Sequence, residues 1–191
     1  MTSFHPAAEY QDIRDGVAAV CAEFPGSYWR DLDARRAYPK EFVQTLIREG
    51  YLGAMIPEEY GGLGVTLTAS AVILEEIHRS GGNAAACHAQ MYTMGTVLRH
   101  GSDAQKQQYL PSIADGSIRL QAFGVTEPTS GTDTLALKTT AKRDGDDYIV
   151  NGQKIWISWA EHSDLMLLLA RTTPRDQEKS KTDGLSVFLI D

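Results

Sequence analysis

Up to residue 116 the apolar positions recur at helical spacing. Ile13, Val17 and Val20 lie about 3.6 residues apart, in a segment that Pro6 opens and that stops by Phe24, ahead of Pro25 and Gly26. Pro39 opens a second helix with Phe42, Val43, Leu46 and Ile47 on one face and Gly50 as its stop. Thr66 or Thr68 caps a third, through Val72, Ile73 and Ile77 to the Gly81-Gly82 break. Asn83 caps a fourth, through Met91, Met94 and Leu98 to Gly101. Ser102 with Gln105 is a capping-box pattern for a short fifth helix that ends before Pro111.

After Gly116 the pattern changes. Residues 117–126, 134–143, 147–151, 153–159, 164–172 and 185–190 read as strands, by alternation and by β-branched and aromatic content. Asp144-Gly145 and Asn151-Gly152 are hairpin-turn dipeptides, and strands joined by tight turns are antiparallel. Leu165–Leu169 is continuously apolar, as for a strand buried on both faces. The charged stretch 172–184 is an exposed loop. The fold class is therefore α+β: an all-helical bundle over 1–116, then an antiparallel β-barrel or sandwich over 117–191.

Composition narrows the class. With 42 % apolar and 23 % charged residues the chain has material for a real core. The net charge of −7, with no basic stripe, speaks against a nucleic-acid partner. The apolar run Leu165–Ala170 falls far short of the roughly 20 residues of a membrane helix. MTSFHPAAEY lacks the basic-then-apolar order of a secretory signal, and Cys21 and Cys87 read as two buried thiols, so a cytoplasmic location is expected.

Some patterns carry little chemistry. Glu75 and His78 share a helix face, but no second such pair exists to complete a carboxylate-bridged metal site, so no metal is expected and a solvated face is the better reading. Gly61, Gly62 and Gly64 follow no strand and lack the Lys-Ser/Thr of a phosphate loop; a tight connection suits them better.

Two segments are more informative. In Phe123–Asp133, FGVTEPTSGTD, a strand runs into a loop in which Pro128 ends the strand and Ser130, Gly131 and Thr132 offer hydroxyls and backbone donors. Such a loop suits a flat heteroaromatic edge or a pyrophosphate; an ordinary polar turn is the alternative. In Asn151–Ser158, NGQKIWIS, strand alternation puts Trp156 and Ser158 on one face, an indole beside a hydroxyl, fit for a planar redox cofactor. A core aromatic is the alternative for Trp156.

These motifs resemble those of the acyl-CoA dehydrogenases, a family of flavoproteins. FGVTEPTSGTD is similar to the family's V-T-E-P-x-x-G-S-D signature, with Thr132 where serine is usual, and NGQKIWIS to its N-G-x-K-x-W-I-T/S element. IPEEYGGLG at 56–64, ILEEIHRSGG at 73–82 and GSDAQKQQYLPSIADG at 101–116 also fit. The resemblance implies an N-terminal helical domain, a middle β-domain and a C-terminal helical domain, with FAD between the last two. It implies that Phe123, Val125 and Thr126 line the isoalloxazine, Thr126 on its pyrimidine side. Gly131 and Thr132 would sit by the pyrophosphate, Thr132 also near the CoA arm of the substrate. Trp156 would cover the flavin, with Ile157 beside it and Ser158 bonded near N5. The reaction implied is α,β-dehydrogenation of an acyl-CoA thioester, with an electron-transfer flavoprotein as acceptor and a dimeric or tetrameric assembly. The family's catalytic glutamate lies in the C-terminal domain, so no catalytic residue is assigned among these 191, the β-domain is expected to be incomplete, and the chain alone is expected to be inactive. An acyl-CoA oxidase of the same fold, or a non-catalytic binding module, are the rival readings. In place of the family's usual Asn and small residue, Trp159 and Ala160 follow Ser158, with Trp159 expected on the opposite face from Trp156.

Overall fold

The computed structural model describes residues 10–177, 180 and 182–191. The chain divides into two compact units, one ending at Ile118 and the other running from Arg119 to Asp191. Among the described residues the first unit contains six α-helices: α1 (Gln11–Ala22), α2 (Gly26–Arg35), α3 (Lys40–Arg48), α4 (Leu67–Arg79), α5 (Ala85–His100) and α6 (Asp103–Ala114). The expected helix start at Pro6 lies outside the described residues. The apolar periodicity does bury one face of each long helix. Val17 and Val20 of α1, Phe42, Val43 and Leu46 of α3, Ile73 and Ile77 of α4, and Cys87 and Met91 of α5 share one core. None of the described helices is long and apolar enough to cross a membrane.

Caps fall where side-chain chemistry puts them. Thr66 accepts the Ala69 N–H at 3.2 Å. Ser102 and Gln105 close both halves of a capping box. Asn83, the expected cap of α5, accepts the Ala85 N–H at 2.8 Å, but the N-cap residue is Ala84, whose side chain makes no cap. Gly50 ends α3 in the left-handed region, at φ 79°.

Two helices differ from the sequence expectation. The pattern predicts no helix between Pro25 and Pro39, yet α2 forms there with only Leu32 buried. Its anchor is aromatic rather than aliphatic. Phe24, Tyr28, Trp29 and Phe42 meet edge to face with centroids 4.9–5.2 Å apart, and the Trp29 indole donates to Phe24 O at 3.1 Å. Helix α6 does not stop before Pro111 but runs through it to Ala114, because burial of Leu110 and Ile113 outweighs one missing N–H. On α4, Glu76 is 2 % exposed. It accepts from Arg79 at 2.9 Å and from Arg14 at 3.3 Å, tying α4 to α1, while Glu75 and His78 do face solvent. Burial pushes the Glu76 carboxyl up, but Arg79 and Arg14 outweigh it and hold it below the usual carboxylate range. The glycines of EEYGGLG form a tight connection around a 3-10 turn (Glu58–Tyr60). A Cβ on Gly62 would lie 2.0 Å from Ile56 O.

Among its described residues the second unit forms one five-stranded sheet of β1 (Leu120–Gly124), β2 (Thr140–Asp144), β3 (Asp147–Asn151), β4 (Leu165–Arg171) and β5 (Leu185–Ile190). The expected antiparallel pairing holds for β2–β3, turned at Asp144-Gly145, and for β4–β5. The sheet as a whole is mixed, since β1 runs parallel to β4 and β2 meets β4 in parallel at Thr140 and Arg171. The tight-turn argument applies only to chain neighbours, and β1 and β4 are not neighbours. Strand β4 is central, with Leu167, Leu168 and Ala170 buried. The expected strand 134–143 begins instead with a 3-10 turn at Thr134–Ala136. In the expected loop 172–184, Arg175–Gln177 forms a 3-10 turn, and residues 178, 179 and 181 lie outside the described set.

The buried carboxylate of α4 yields a test. Glu76→Ala is expected to destabilise the helical unit by about 1–3 kcal/mol in urea unfolding. Arg79→Ala, at a partner 68 % exposed, is expected to cost under about 1 kcal/mol. Equal losses would show that Glu76 does not tie the helices.

Candidate functional site

Strand β1 delivers the first motif. At its end Gly124 is packed so closely that a Cβ would lie 3.1 Å from Leu168. Glu127 and Ser130 then exchange backbone hydrogen bonds of 2.9 and 3.1 Å around Pro128 and Thr129. The Ser130 hydroxyl donates to Asp133 O, which folds the loop back on itself. Phe123, Val125 and Thr126 are half-buried, whereas Gly131 and Thr132 are exposed. A Cβ on Gly131 would meet nothing within 4 Å.

The second motif is not a strand. After Asn151 the backbone leaves β3 without a hairpin, because Gly152 packs onto Thr139, where a Cβ would lie 2.3 Å from the hydroxyl oxygen. The chain then passes beside the first motif. Ile155 N–H donates to Thr126 O at 2.9 Å. The Lys154 ammonium donates to Val125 O at 3.0 Å and to Glu127 at 2.9 Å. The structure therefore brings residues 125–127 against 154–155. No described hydrogen bond ties Gly131 or Thr132 to residues 152–158.

This geometry corrects the alternation argument for Trp156, Ser158 and Trp159. Trp156 sits at φ 60° and Trp159 at φ 61°, a region that side chains other than glycine rarely enter. Neither face-sharing nor face-opposition follows from strand alternation here. Trp156 is nonetheless 84 % exposed, which excludes the core-aromatic alternative for it. Ser158 is exposed and Ile157 half-buried. Trp159 is half-buried; its carbonyl accepts from the Ser163 hydroxyl at 3.0 Å and from His162 N–H at 2.9 Å. It caps the short turn Ala160–His162.

The residues that sequence reasoning did not promote are Glu127 and Lys154. Glu127 is 4 % exposed. Its two oxygens accept from Lys138 N–H at 2.6 Å, from Thr139 N–H at 2.8 Å and from Lys154. Each charge was visible within its motif, but nothing in a linear pattern pairs positions 27 residues apart. Arg171 adds a second tie, donating to Leu135 O at 2.8 Å beside the Thr139 backbone bond to Arg171 N–H.

Burial alone pushes the Glu127 carboxyl up. Hydrogen bonds from Thr139, Lys138 and Lys154 outweigh it and carry the pKa down to about 2. A carboxylate depressed on folding adds stability at pH values above the unfolded pKa, and that stability is lost as pH falls through the folded value. We therefore predict a loss of order 3 kcal/mol between about pH 4.5 and about pH 2. Urea midpoints measured across that range check it, and Glu127→Gln should flatten the slope. An unchanged slope would remove Glu127 from the account.

Comparison with known proteins follows the same lines. The chain matches the model of the acyl-CoA dehydrogenase N-terminal domain over residues 7–117 and that of the middle domain over residues 122–191. It is 34 % identical over 190 residues to the acyl-CoA dehydrogenase FadE12 of Mycobacterium tuberculosis, covering 99 % of this chain and 47 % of that protein. Among solved structures it resembles an acyl-CoA dehydrogenase from Geobacillus kaustophilus, with TM-score 0.87 and 28 % identity over 100 % of this chain and 50 % of that one. It also resembles the prolyl acyl carrier protein oxidase AnaB, with TM-score 0.86 and 26 % identity over 97 % of this chain and 49 % of that one. The chain spans about half the length of the curated relatives it matches. It belongs to the acyl-CoA dehydrogenase family and matches that family's N-terminal and middle domains.

Proposed function

We propose that this chain serves an FAD-dependent acyl-CoA dehydrogenase, in which an acyl-CoA thioester is dehydrogenated at its α,β bond. The observation that carries this reading is Trp156. Its indole is 84 % exposed on a left-handed backbone. Leaving so large an apolar ring in water forgoes about 3 kcal/mol of burial, and the backbone conformation costs about 1–2 kcal/mol more. Both costs make sense where a flat ring settles on the indole.

The neighbouring residues suit the rest of FAD. Phe123, Val125 and Thr126 would run along the isoalloxazine, with the Thr126 hydroxyl toward its pyrimidine edge. Ile157 and Ser158 would flank the N5 side, Ser158 as a donor. Gly131 leaves open space for a phosphate. The exposed Thr132 hydroxyl would serve the pyrophosphate and the CoA arm. Bound there, FAD supplies the acceptor for the hydride leaving the substrate β-carbon. Glu127 does not take the α-proton. Both its oxygens are occupied, and a carboxylate held near pKa 2 is a weak base. The resemblance assigns that proton to a glutamate of the family's C-terminal domain. Acyl-CoA as substrate, an electron-transfer flavoprotein as acceptor and a dimeric or tetrameric assembly complete the reading. The likeness to an acyl carrier protein oxidase favours one second reading, with oxygen as acceptor.

This chain together with the family's C-terminal domain, mixed with FAD, should show the visible absorbance band of a bound oxidised flavin after gel filtration. No uptake at any FAD concentration would contradict the reading. Trp156→Ala should weaken FAD binding about tenfold, and Trp159→Ala less than about threefold. Equal losses in a fluorescence titration would overturn the assignment of Trp156.

A further inference from the structure

Glu127 and Lys154 are an ion pair with side chains only 3 % and 8 % exposed. A pair withdrawn from water to this degree gains little over apolar residues of the same shape, and its attested use is to fix register. Register is what this part of the chain lacks. Residues 152–157 form no strand, and one backbone bond, from Ile155 to Thr126, joins them to the first motif. A single such bond tolerates sliding.

The Lys154 ammonium removes that freedom. It reaches Val125 O at 3.0 Å and Glu127 Oε1 at 2.9 Å. These acceptors sit two residues apart in sequence, on either side of the Thr126 carbonyl that Ile155 uses. A slip by one residue would break all three bonds. Glu127 is itself pinned by the N–H groups of Lys138 and Thr139, where the chain enters β2. The next residue after Ile155 is Trp156, turned outward by its left-handed backbone.

We propose that Glu127 and Lys154 act as a positioning clasp, which locks residues 125–127 against 154–155 and thereby sets the direction in which Trp156 is presented to a flavin. The inference rests on the flavin reading above. Neither residue touches the flavin in this account; both act through the backbone that carries Thr126 and Trp156.

The test uses the full chain and reads the clasp in two ways. Hydrogen exchange reports the clasp without any ligand. In Lys154→Met the Ile155 amide should exchange about tenfold faster or more, while the amides of Leu167 and Leu169 in the β4–β5 pairing stay within about twofold of the parent. FAD titration, with the family's C-terminal domain present, reports the consequence. Binding should weaken about tenfold, with a changed circular dichroism of the bound flavin band, and Lys154→Arg should recover most of both. If Lys154→Met fails to fold, the double variant Glu127→Gln/Lys154→Met, which leaves no buried charge unpaired, carries the same expectations. The proposal is overturned if a folded variant keeps the Ile155 exchange rate and FAD affinity within about twofold of the parent, or if Lys154→Arg recovers no more than Lys154→Met. A parent chain that takes up no FAD contradicts the flavin reading instead, and the Ile155 amide then decides the clasp alone.

Discussion

A single carboxylate holds the second unit's irregular half together. Residues 125–139 and 152–159 contribute little to the buried core, and Leu137 is among the few apolar side chains they bury. What fixes them is polar. Glu127 gathers two backbone N–H groups and an ammonium from two other stretches of chain. Take it away and the donors at Lys138 and Thr139 lose their acceptor in a site with little water, a cost of about 1–3 kcal/mol each. The hydrogen bonds outweigh the cost of burying the charge, which is why the group stays ionised far into acid.

The helical unit uses the same device with a different emphasis. Glu76 is as buried as Glu127, but of its two arginines Arg79 reaches it from the surface, with its side chain 68 % exposed. Solvent screens the Arg79 charge, and the unit does not depend on this ion pair alone. A contiguous apolar cluster from four helices carries most of its stability, and the aromatic group of Phe24, Tyr28, Trp29 and Phe42 secures α2 against it. In the sheet unit the apolar burial is concentrated on β1 and β4, leaving the loops free to carry exposed, strained and polar residues.

Much of this was legible from the residues alone. Periodic aliphatic faces gave α1, α3, α4 and α5, and short-range cap chemistry gave the starts at Thr66 and Ser102, because both signals are local. The Asp144-Gly145 turn was legible for the same reason. Helix α2 was not, because its anchor is a set of rings that converge only after folding. The parallel pairing of β1 with β4 was hidden since no turn dipeptide encodes it. At the site, the two motifs were evident and their juxtaposition was implied by the family resemblance. The left-handed backbone at Trp156 was not, as non-glycine residues give no warning of it. The Glu127–Lys154 pair escaped for a related reason: charge along a chain predicts solvent exposure, and only a folded environment of donors makes burial of that charge tolerable.

The functional account stands on an exposed indole held in a strained conformation next to a rigid, well-bonded loop. Such an arrangement spends stability to present a surface. The most direct measurement of that claim is a crystal structure of the protein grown with FAD. The account predicts the isoalloxazine against the Trp156 indole, with Thr126 at its pyrimidine edge and residues 125–127 and 154–155 unmoved. A flavin bound elsewhere, or bound with Trp156 turned away from its ring, would contradict the account.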